Sequence, residues 1–294
     1  MKRKTQSSSV FVLWTGGILI CLVAVLLSLI LSSCGTGDEV PITTPAAPTE
    51  SAGGTGTVEP GSETGDPGSA STDPNTAEPT TTSVVLGETA DAGQAYIDRL
   101  TFLGDSTTYG LWYYSNEAPL LTGELESEQV WTPTSGTLAL FNYATATVRC
   151  PTPDGPEITI AEAAALKQPE YLVITLGVNG VASMDEDYFK ECYTGVINAV
   201  KQASPNTKII CNSIYPVGRS YAQLDSINND KINAANEWIK EVAAETGTRY
   251  SDTCSVLKDS EGWLRDDLQN GDYIHLNAQG FTEVLNYLRT HAYL

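Results

Sequence analysis

Three short polar motifs in the sequence carry residue types that could catalyse acyl transfer. The first is Gly104-Asp105-Ser106, which follows an apolar run at residues 100–103. A serine that ends a buried strand and begins a helix could act as a nucleophile, because its own backbone N–H points to where an oxyanion would form. The alternative is an ordinary turn in which Ser106 caps the helix.

The second motif offers a base for that serine. The chain has two histidines, His275 and His291. His291 falls in the last turn of a predicted helix, where the helix dipole favours a histidine without any catalytic role. His275 follows Asp272 by three residues, so Asp272 could bind the second ring nitrogen and fix the tautomer. The alternative for Asp272 and His275 is a capped turn before the helix.

The third motif, Gly177-Val178-Asn179-Gly180, follows the apolar run 171–176. Taken alone, it could also be an Asn-Gly turn. Since strands and helices alternate along residues 100–293, and the strands are continuous apolar runs, we predict a doubly wound α/β domain with a mainly parallel five-stranded sheet between two helical layers. Ligands bind such sheets beyond the carboxyl ends of the strands, so all three motifs should meet at one edge.

Local patterns predict where individual elements begin and end. Capping boxes starting at Thr159 and Ser183 predict two helix starts, and further helices are predicted at 227–245 and 277–293. Short strands are predicted at 130–132, 208–213 and 249–252. Residues 138–142 fit either a helix or a strand.

With these motifs, residues 100–290 resemble the GDSL/SGNH hydrolase superfamily. The resemblance places Ser106 at the nucleophile, Asn179 at an oxyanion-binding asparagine, and Asp272 and His275 at the final motif. It implies a flavodoxin-like sheet and ester hydrolysis without a metal or another cofactor. The family also uses a glycine N–H in the oxyanion hole, for which we expect Gly136, with Gly123 as the alternative. Thr107 stands where the family commonly has leucine.

The N-terminal third of the chain has the composition of an export signal and a tether. Lys2, Arg3 and Lys4 precede an uncharged apolar run at 10–31, and Cys34 lies where a bacterial lipobox places its lipidated cysteine. The alternative is an uncleaved membrane anchor, since 10–31 is long enough to span a bilayer. Residues 35–83, rich in Gly, Thr, Pro, Ser and Glu, are predicted to be a disordered tether. The hydrolase domain would then be 84–294.

Charge and cysteine content limit the partners of the protein. The formal net charge is −20, which makes nucleic acid or an anionic lipid surface a poor partner. We expect a monomer held at the membrane by Cys34 or by the N-terminal helix. Of the six cysteines, four fall in the predicted domain: Cys150, Cys192, Cys211 and Cys254. These four could be buried thiols or form disulfides.

Together these features predict an extracytoplasmic serine esterase anchored to the bacterial cell membrane. Its expected substrates are O-acetylated carbohydrate or cell-wall glycan, because a tethered lipoprotein works in the zone of the cell wall. One alternative is an O-acyltransferase that passes the acyl group to a glycan hydroxyl. Another is a non-catalytic carbohydrate-binding module on the same scaffold.

Overall fold

A parallel sheet forms the centre of this computed structural model, which describes residues 83–115, 120–121, 126–150 and 155–294. The strands are β1 (Leu100–Gly104), β2 (Val130–Trp131), β3 (Thr147–Arg149), β4 (Glu157–Thr159), β5 (Tyr171–Thr175), β6 (Lys208–Asn212) and β7 (Arg249–Ser251). Five of them pair in parallel in the order β2-β1-β5-β6-β7, and β3 and β4 form a separate antiparallel pair. The predicted five-stranded parallel sheet is therefore confirmed.

Helices cover both faces of the sheet. They are α1 (Gln94–Ile97), α2 (Ser106–Ser115), α3 (Glu126–Gln129), α4 (Ile160–Lys167), α5 (Glu186–Ala203), α6 (Asn229–Thr246), α7 (Cys254–Leu257) and α8 (Ala278–Thr290). On β5, Leu172 and Ile174 belong to the core beneath α4, α5 and α6, whereas Tyr171 and Val173 belong to the core beneath α1, α2 and α8. Successive side chains of a strand point to opposite faces, so the sheet has a hydrophobic core on each side, as predicted for three layers.

One predicted helix start is correct and another is wrong. Thr159 caps α4 through the predicted capping box with Glu162. For α5 the cap is Asp185, whose side chain accepts from the Tyr188 N–H, and not Ser183. The N–H of Ser183 donates to the carbonyl of Gly180 at 3.0 Å, so Ser183 belongs to the preceding turn.

The remaining boundaries shift by a few residues for local reasons. Helix α6 begins after Asn228, whose side chain accepts from the Lys231 N–H, and ends before Gly247, which caps it with φ 65°. A left-handed φ at the end of a helix favours glycine. Residues 138–142, which fitted a helix or a strand, contain a short 3₁₀ turn, Leu140–Asn142.

Several predictions fall on residues that the structure does not describe. The apolar run 10–31, Cys34, all but the last residue of the tether, and Gly123 lie outside the described residues. Across the described part of the chain, no helix is both long enough and apolar enough to cross a membrane. Cys150, Cys192, Cys211 and Cys254 are all free and buried, in line with the buried thiols that were one of the two expectations.

Candidate active site

Ser106 lies where β1 turns into α2. The strand ends at Gly104 and the helix begins at Ser106. Oδ1 of Asp105 accepts from the Thr107 N–H at 2.9 Å and from the Thr107 hydroxyl at 2.8 Å. Asp105 therefore binds the first turn of the helix as a capping residue would, and the alternative role of Ser106 as the cap is not what the structure shows. The hydroxyl of Ser106 is left for other partners.

Gly104 allows this turn to pack tightly against the next strand. It pairs with Thr175 of β5, and a Cβ atom at position 104 would lie 2.7 Å from the Thr175 carbonyl oxygen and 1.9 Å from Oγ1 of Thr108. Neither approach is compatible with a normal van der Waals contact. The glycine thus fixes how closely the serine turn approaches the neighbouring strand.

A continuous chain of hydrogen bonds joins Ser106, His275 and Asp272. Nε2 of His275 is 2.9 Å from Oγ of Ser106, and Nδ1 is 2.6 Å from Oδ2 of Asp272. Since a carboxylate only accepts, Nδ1 carries a proton and Nε2 can accept the serine proton. The side chains of His275 and Asp272 are 32% and 46% exposed, so the pair is open to solvent.

Local hydrogen bonds keep Asp272 ionised. Burial by itself would raise the pKa of this carboxyl. The hydrogen bond from the His275 ring and those from the N–H groups of His275 and Ile274 outweigh burial, so the pKa lies below its usual value. Asp272 is therefore negatively charged at neutral pH, beside the ring that it orients.

The loop that carries Asp272 and His275 is held by side chains that the sequence motifs did not identify. Oε1 of Gln269 accepts from the N–H groups of Gly271 and Tyr273 at 2.5 and 3.2 Å. Tyr273 has a left-handed φ of 66°, which is strained for a non-glycine residue, and its carbonyl accepts from the Gly218 N–H at 2.7 Å. Nothing in the local pattern indicates that a glutamine organises this turn.

Asn179 faces the residue that precedes the serine. Its Nδ2 donates to Oδ2 of Asp105 at 3.3 Å and to the carbonyl of Leu138 at 3.1 Å. Strand β5 lies next to β1 in the sheet, so the two loops beyond these strands meet as predicted. The structure thus brings together Ser106, His275 and Asp272, with Asn179 beside them.

The structure does not support the oxyanion role expected for Gly136. Its N–H donates to the carbonyl of Pro133 at 2.9 Å, within a turn where Gly136 has φ 72°. An N–H committed to its own turn is not free for a substrate oxygen. The pattern Ser-Gly-Thr at 135–137 marks that turn, and the prediction for Gly136 is wrong for this reason.

Asp105 is the most deeply buried charged group near the serine. It is 0% exposed, and burial raises its pKa to about 6, although the N–H and hydroxyl of Thr107 oppose the shift. Its two oxygens accept from Thr107 on one side and from Asn179 on the other. Asp105 therefore couples the first turn of α2 to the Asn179 side chain.

The second histidine, His291, does not belong to the site. His291 follows α8, stacks on Tyr287 with ring centroids 3.8 Å apart, and hydrogen-bonds to the Tyr287 carbonyl. Within the described ranges, no group of three or more His, Cys, Asp or Glu side chains is arranged to hold a metal ion. The polar chemistry at this edge of the sheet is that of an activated serine.

Comparison with known proteins gives one family and several distant structures. The sequence model of the GDSL-like Lipase/Acylhydrolase family matches residues 102–282. Similar solved structures include a GDSL-like lipase from Bacteroides thetaiotaomicron, with 17% identity, a TM-score of 0.46, and coverage of 64% of this chain and 85% of that chain. A carbohydrate esterase of family 3 from Talaromyces cellulolyticus has 18% identity and a TM-score of 0.40, covering 65% and 93%.

A third solved structure, a peptidoglycan O-acetylesterase, has 13% identity and a TM-score of 0.38, covering 44% of this chain and 38% of that chain. No curated protein sequence matches the chain.

Proposed function

We propose that this chain, which belongs to the GDSL-like lipase/acylhydrolase family and is a serine hydrolase of ester bonds, acts on acetyl esters of glycans. In this proposal it removes acetyl groups from O-acetylated carbohydrate or cell-wall glycan outside the cell. The observation that carries the proposal is the hydrogen-bond chain from Ser106 through His275 to Asp272, at 2.9 and 2.6 Å. Both distances are those of a serine activated by an oriented base.

In the proposed reaction, Nε2 of His275 removes the hydroxyl proton of Ser106 as Oγ attacks the ester carbonyl. The tetrahedral intermediate collapses when His275 gives this proton to the departing alcohol, which leaves an acyl-serine. Water then attacks the acyl-serine with His275 again acting as base, and the acid and free Ser106 are released. Asp272 stays ionised throughout and stabilises the imidazolium.

Two donors are in position to hold the oxyanion. The N–H of Ser106 is one of the first-turn N–H groups of α2 that have no partner within the helix. The other is Nδ2 of Asn179, which donates to the Leu138 carbonyl at 3.1 Å and to Asp105 at 3.3 Å. The bond to Asp105 is longer than a normal hydrogen bond, and a substrate oxygen would have to take its place. Removal of one oxyanion donor typically costs about 3 kcal/mol of transition-state stabilisation.

The openness of the site and the predicted location support a glycan as the substrate. His275 and Asp272 are 32% and 46% exposed, so an acetyl group on a polymer can reach Ser106 without the polymer being enclosed. The predicted export signal and tether would hold the domain near the cell wall.

The test uses full-length protein in a neutral detergent with O-acetylated cell-wall glycan and its chemically deacetylated form. We expect acetate release from the first substrate only, and none from the S106A variant. A sugar acceptor added to the same reaction distinguishes hydrolysis, which gives acetate, from acyl transfer, which gives an acetylated acceptor. Hydrolysis of para-nitrophenyl acetate without acetate release from any glycan would contradict the proposed substrate but not the family chemistry.

A further inference from the structure

Arg149, at the end of β3, has a buried guanidinium that makes no ion pair with any residue in the described part of the chain. It is 8% exposed, and no carboxylate of the described residues lies within 4.0 Å of it. Burying a charge is costly unless a counter-charge compensates for it. In a chain with 36 acidic and only 16 basic residues, Arg149 makes no direct contact with a described carboxylate.

The carboxylate opposite Arg149 in the hairpin is used elsewhere. Glu157 pairs with Arg149 in the β3–β4 register, so their side chains lie on the same face. Its oxygens accept from the N–H of Thr134 and the hydroxyl of Thr147, both at 2.6 Å. Arg149 donates no hydrogen bond to Glu157. The hydrogen bonds from Thr134 and Thr147 lower the pKa of Glu157 most, and the positive charge of Arg149 adds a smaller effect through space.

The bonds that Arg149 makes use Nε and Nη2 of its guanidinium. Nη2 donates to Oγ1 of Thr132 at 3.1 Å and Nε reaches the Thr132 carbonyl at 3.4 Å. The guanidinium carbon lies 5.3 Å from the ring centre of Tyr109 and 4.9 Å from that of Trp112. Among the described residues Nη1 has no acceptor.

This guanidinium lies at the same edge of the sheet as Ser106. Trp131 of β2 pairs with Leu103 of β1, so Thr132 is level with Gly104, about 5 Å away in the next strand. The two rings that stack on Arg149 belong to α2, the helix that Ser106 begins. Tyr109 lies one helical turn after Ser106, on the same side of the helix.

We propose that Arg149, framed by Tyr109 and Trp112, is an anion subsite that binds a carboxylate on the alcohol portion of the ester substrate. This rests on the proposed function: if the acyl group is acetyl, the charge must belong to the sugar, so the substrate class is an acetylated acidic sugar such as a hexuronate. A guanidinium fork matches a planar carboxylate. A singly charged group is favoured over a phosphate dianion because the protein as a whole is strongly negative.

The test compares matched esters on the full-length protein in a neutral detergent. The acidic substrates are meta- and para-acetoxybenzoate, and the neutral ones are the corresponding acetoxybenzamides. We expect kcat/KM to be at least about tenfold higher for one of the acidic esters than for its amide, mainly through KM. R149Q should lower kcat/KM for that acidic ester by about 10- to 100-fold and change the neutral ester by less than about twofold. R149K should recover part of the loss, because it keeps the charge but not the fork.

Arg99 supplies a matched control. Its guanidinium also stacks on two aromatic rings, those of Tyr96 and Tyr171, but it precedes β1, at the opposite end of the sheet. R99Q should leave the ratio between acidic and neutral esters unchanged. Para-acetoxyphenyl phosphate is tested as an additional substrate. A higher kcat/KM for this phosphate than for the carboxylate esters would overturn the carboxylate assignment.

Binding is measured separately from turnover by titrating the protein with benzoate and benzamide and following tryptophan fluorescence, since Trp112 contacts the guanidinium. We expect benzoate to quench the fluorescence of the parent in a saturable way and to have no such effect on R149Q. If benzoate does not change the fluorescence of the parent, the subsite is contradicted even if R149Q does not fold. An equal loss on acidic and neutral esters would also overturn it. If the parent hydrolyses no ester at all, the proposed function fails, while the benzoate titration still decides whether the anion subsite exists.

Discussion

Nδ2 of Asn179 lies 3.3 Å from Oδ2 of Asp105, which links the loop after β5 to the residue directly before Ser106. The other oxygen of Asp105 holds the first turn of α2 through Thr107. One buried carboxylate thus fixes both the start of the helix that carries Ser106, the proposed nucleophile, and the amide proposed to bind the oxyanion.

Asn179 is the side-chain donor proposed for the oxyanion. N179A removes one oxyanion donor and should lower kcat for para-nitrophenyl acetate by about 10²- to 10³-fold, with little change in KM. N228A is the control, because Asn228 is a helix cap on α6 and its loss should affect stability but not kcat. A kcat for N179A within a few-fold of the parent would show that Asn179 does not bind the oxyanion.

Replacing Asp272 by asparagine tests the orientation of His275. In D272N the amide presents either a donor or a weak acceptor to Nδ1, so the ring loses its preferred tautomer and the charge that stabilises imidazolium. We expect kcat to fall by about 10⁴-fold, measured at saturating ester. D267N changes an exposed aspartate paired with Arg265 and should retain parental activity. Comparable rates for D272N and D267N would exclude Asp272 from the triad.

The buried carboxyl of Asp105 predicts a pH-dependent loss of stability. Its pKa rises from 3.8 to about 6 on folding, so the folded state holds this proton more tightly than the unfolded state. The loss of folding stability caused by ionising buried Asp105 is therefore absent below about pH 4. It grows between the two pKa values and is complete above about pH 6. The full effect is about 3 kcal/mol in order of magnitude.

D105N has no such titration. As the pH rises from 4 to 6, the parent should therefore lose stability relative to D105N. Urea unfolding across that range measures the free energy of unfolding of both proteins, and the value for D105N minus that for the parent should become more positive. Lost hydrogen bonds add a constant to this difference and do not alter its slope with pH. A difference that stays flat across this range would mean that Asp105 is not buried as a carboxylate.

Gly104 should tolerate no side chain. A methyl group there meets the Thr175 backbone oxygen at 2.7 Å, and backbone cannot move aside as a side-chain tip can. G104A should lower the free energy of unfolding by about 1–3 kcal/mol and reduce activity by displacing the serine turn. G87A is the matched control, since nothing lies within 4 Å of a Cβ atom at Gly87. Equal stabilities for G104A and G87A would argue against the tight turn.

The sheet could be predicted from the sequence because each central strand is buried on both faces. Residues 171–175 form a continuous apolar run for this reason, and the capping box at Thr159 fixes a helix start through contacts only three residues apart. Ser106, Asp272 and His275 could be found because the serine needs a base and the chain has only two histidines. Local chemistry and scarcity of residue type were enough for these features.

Gly136 lies at about the sequence position expected for an oxyanion glycine, yet its N–H is bound by the Pro133 carbonyl within its own turn. Two other features depend on contacts between distant segments and could not be predicted. Arg149 has no motif, and its position beside Tyr109 follows only from the packing of the β3–β4 hairpin against the sheet edge. The role of Asp105 as a bridge to Asn179 joins residues 74 positions apart.

Ser106 is the proposed nucleophile, and a phosphonate ester with a para-nitrophenyl leaving group should react with it. Such a reagent forms a stable bond with an activated serine. Mass analysis of the full-length protein and its peptides should find one phosphonyl group per chain, on the peptide that contains Ser106, and none on S106A. Attachment of the phosphonyl group to a different residue would contradict the assignment of Ser106. The same holds if the parent stays unlabelled while it hydrolyses para-nitrophenyl acetate.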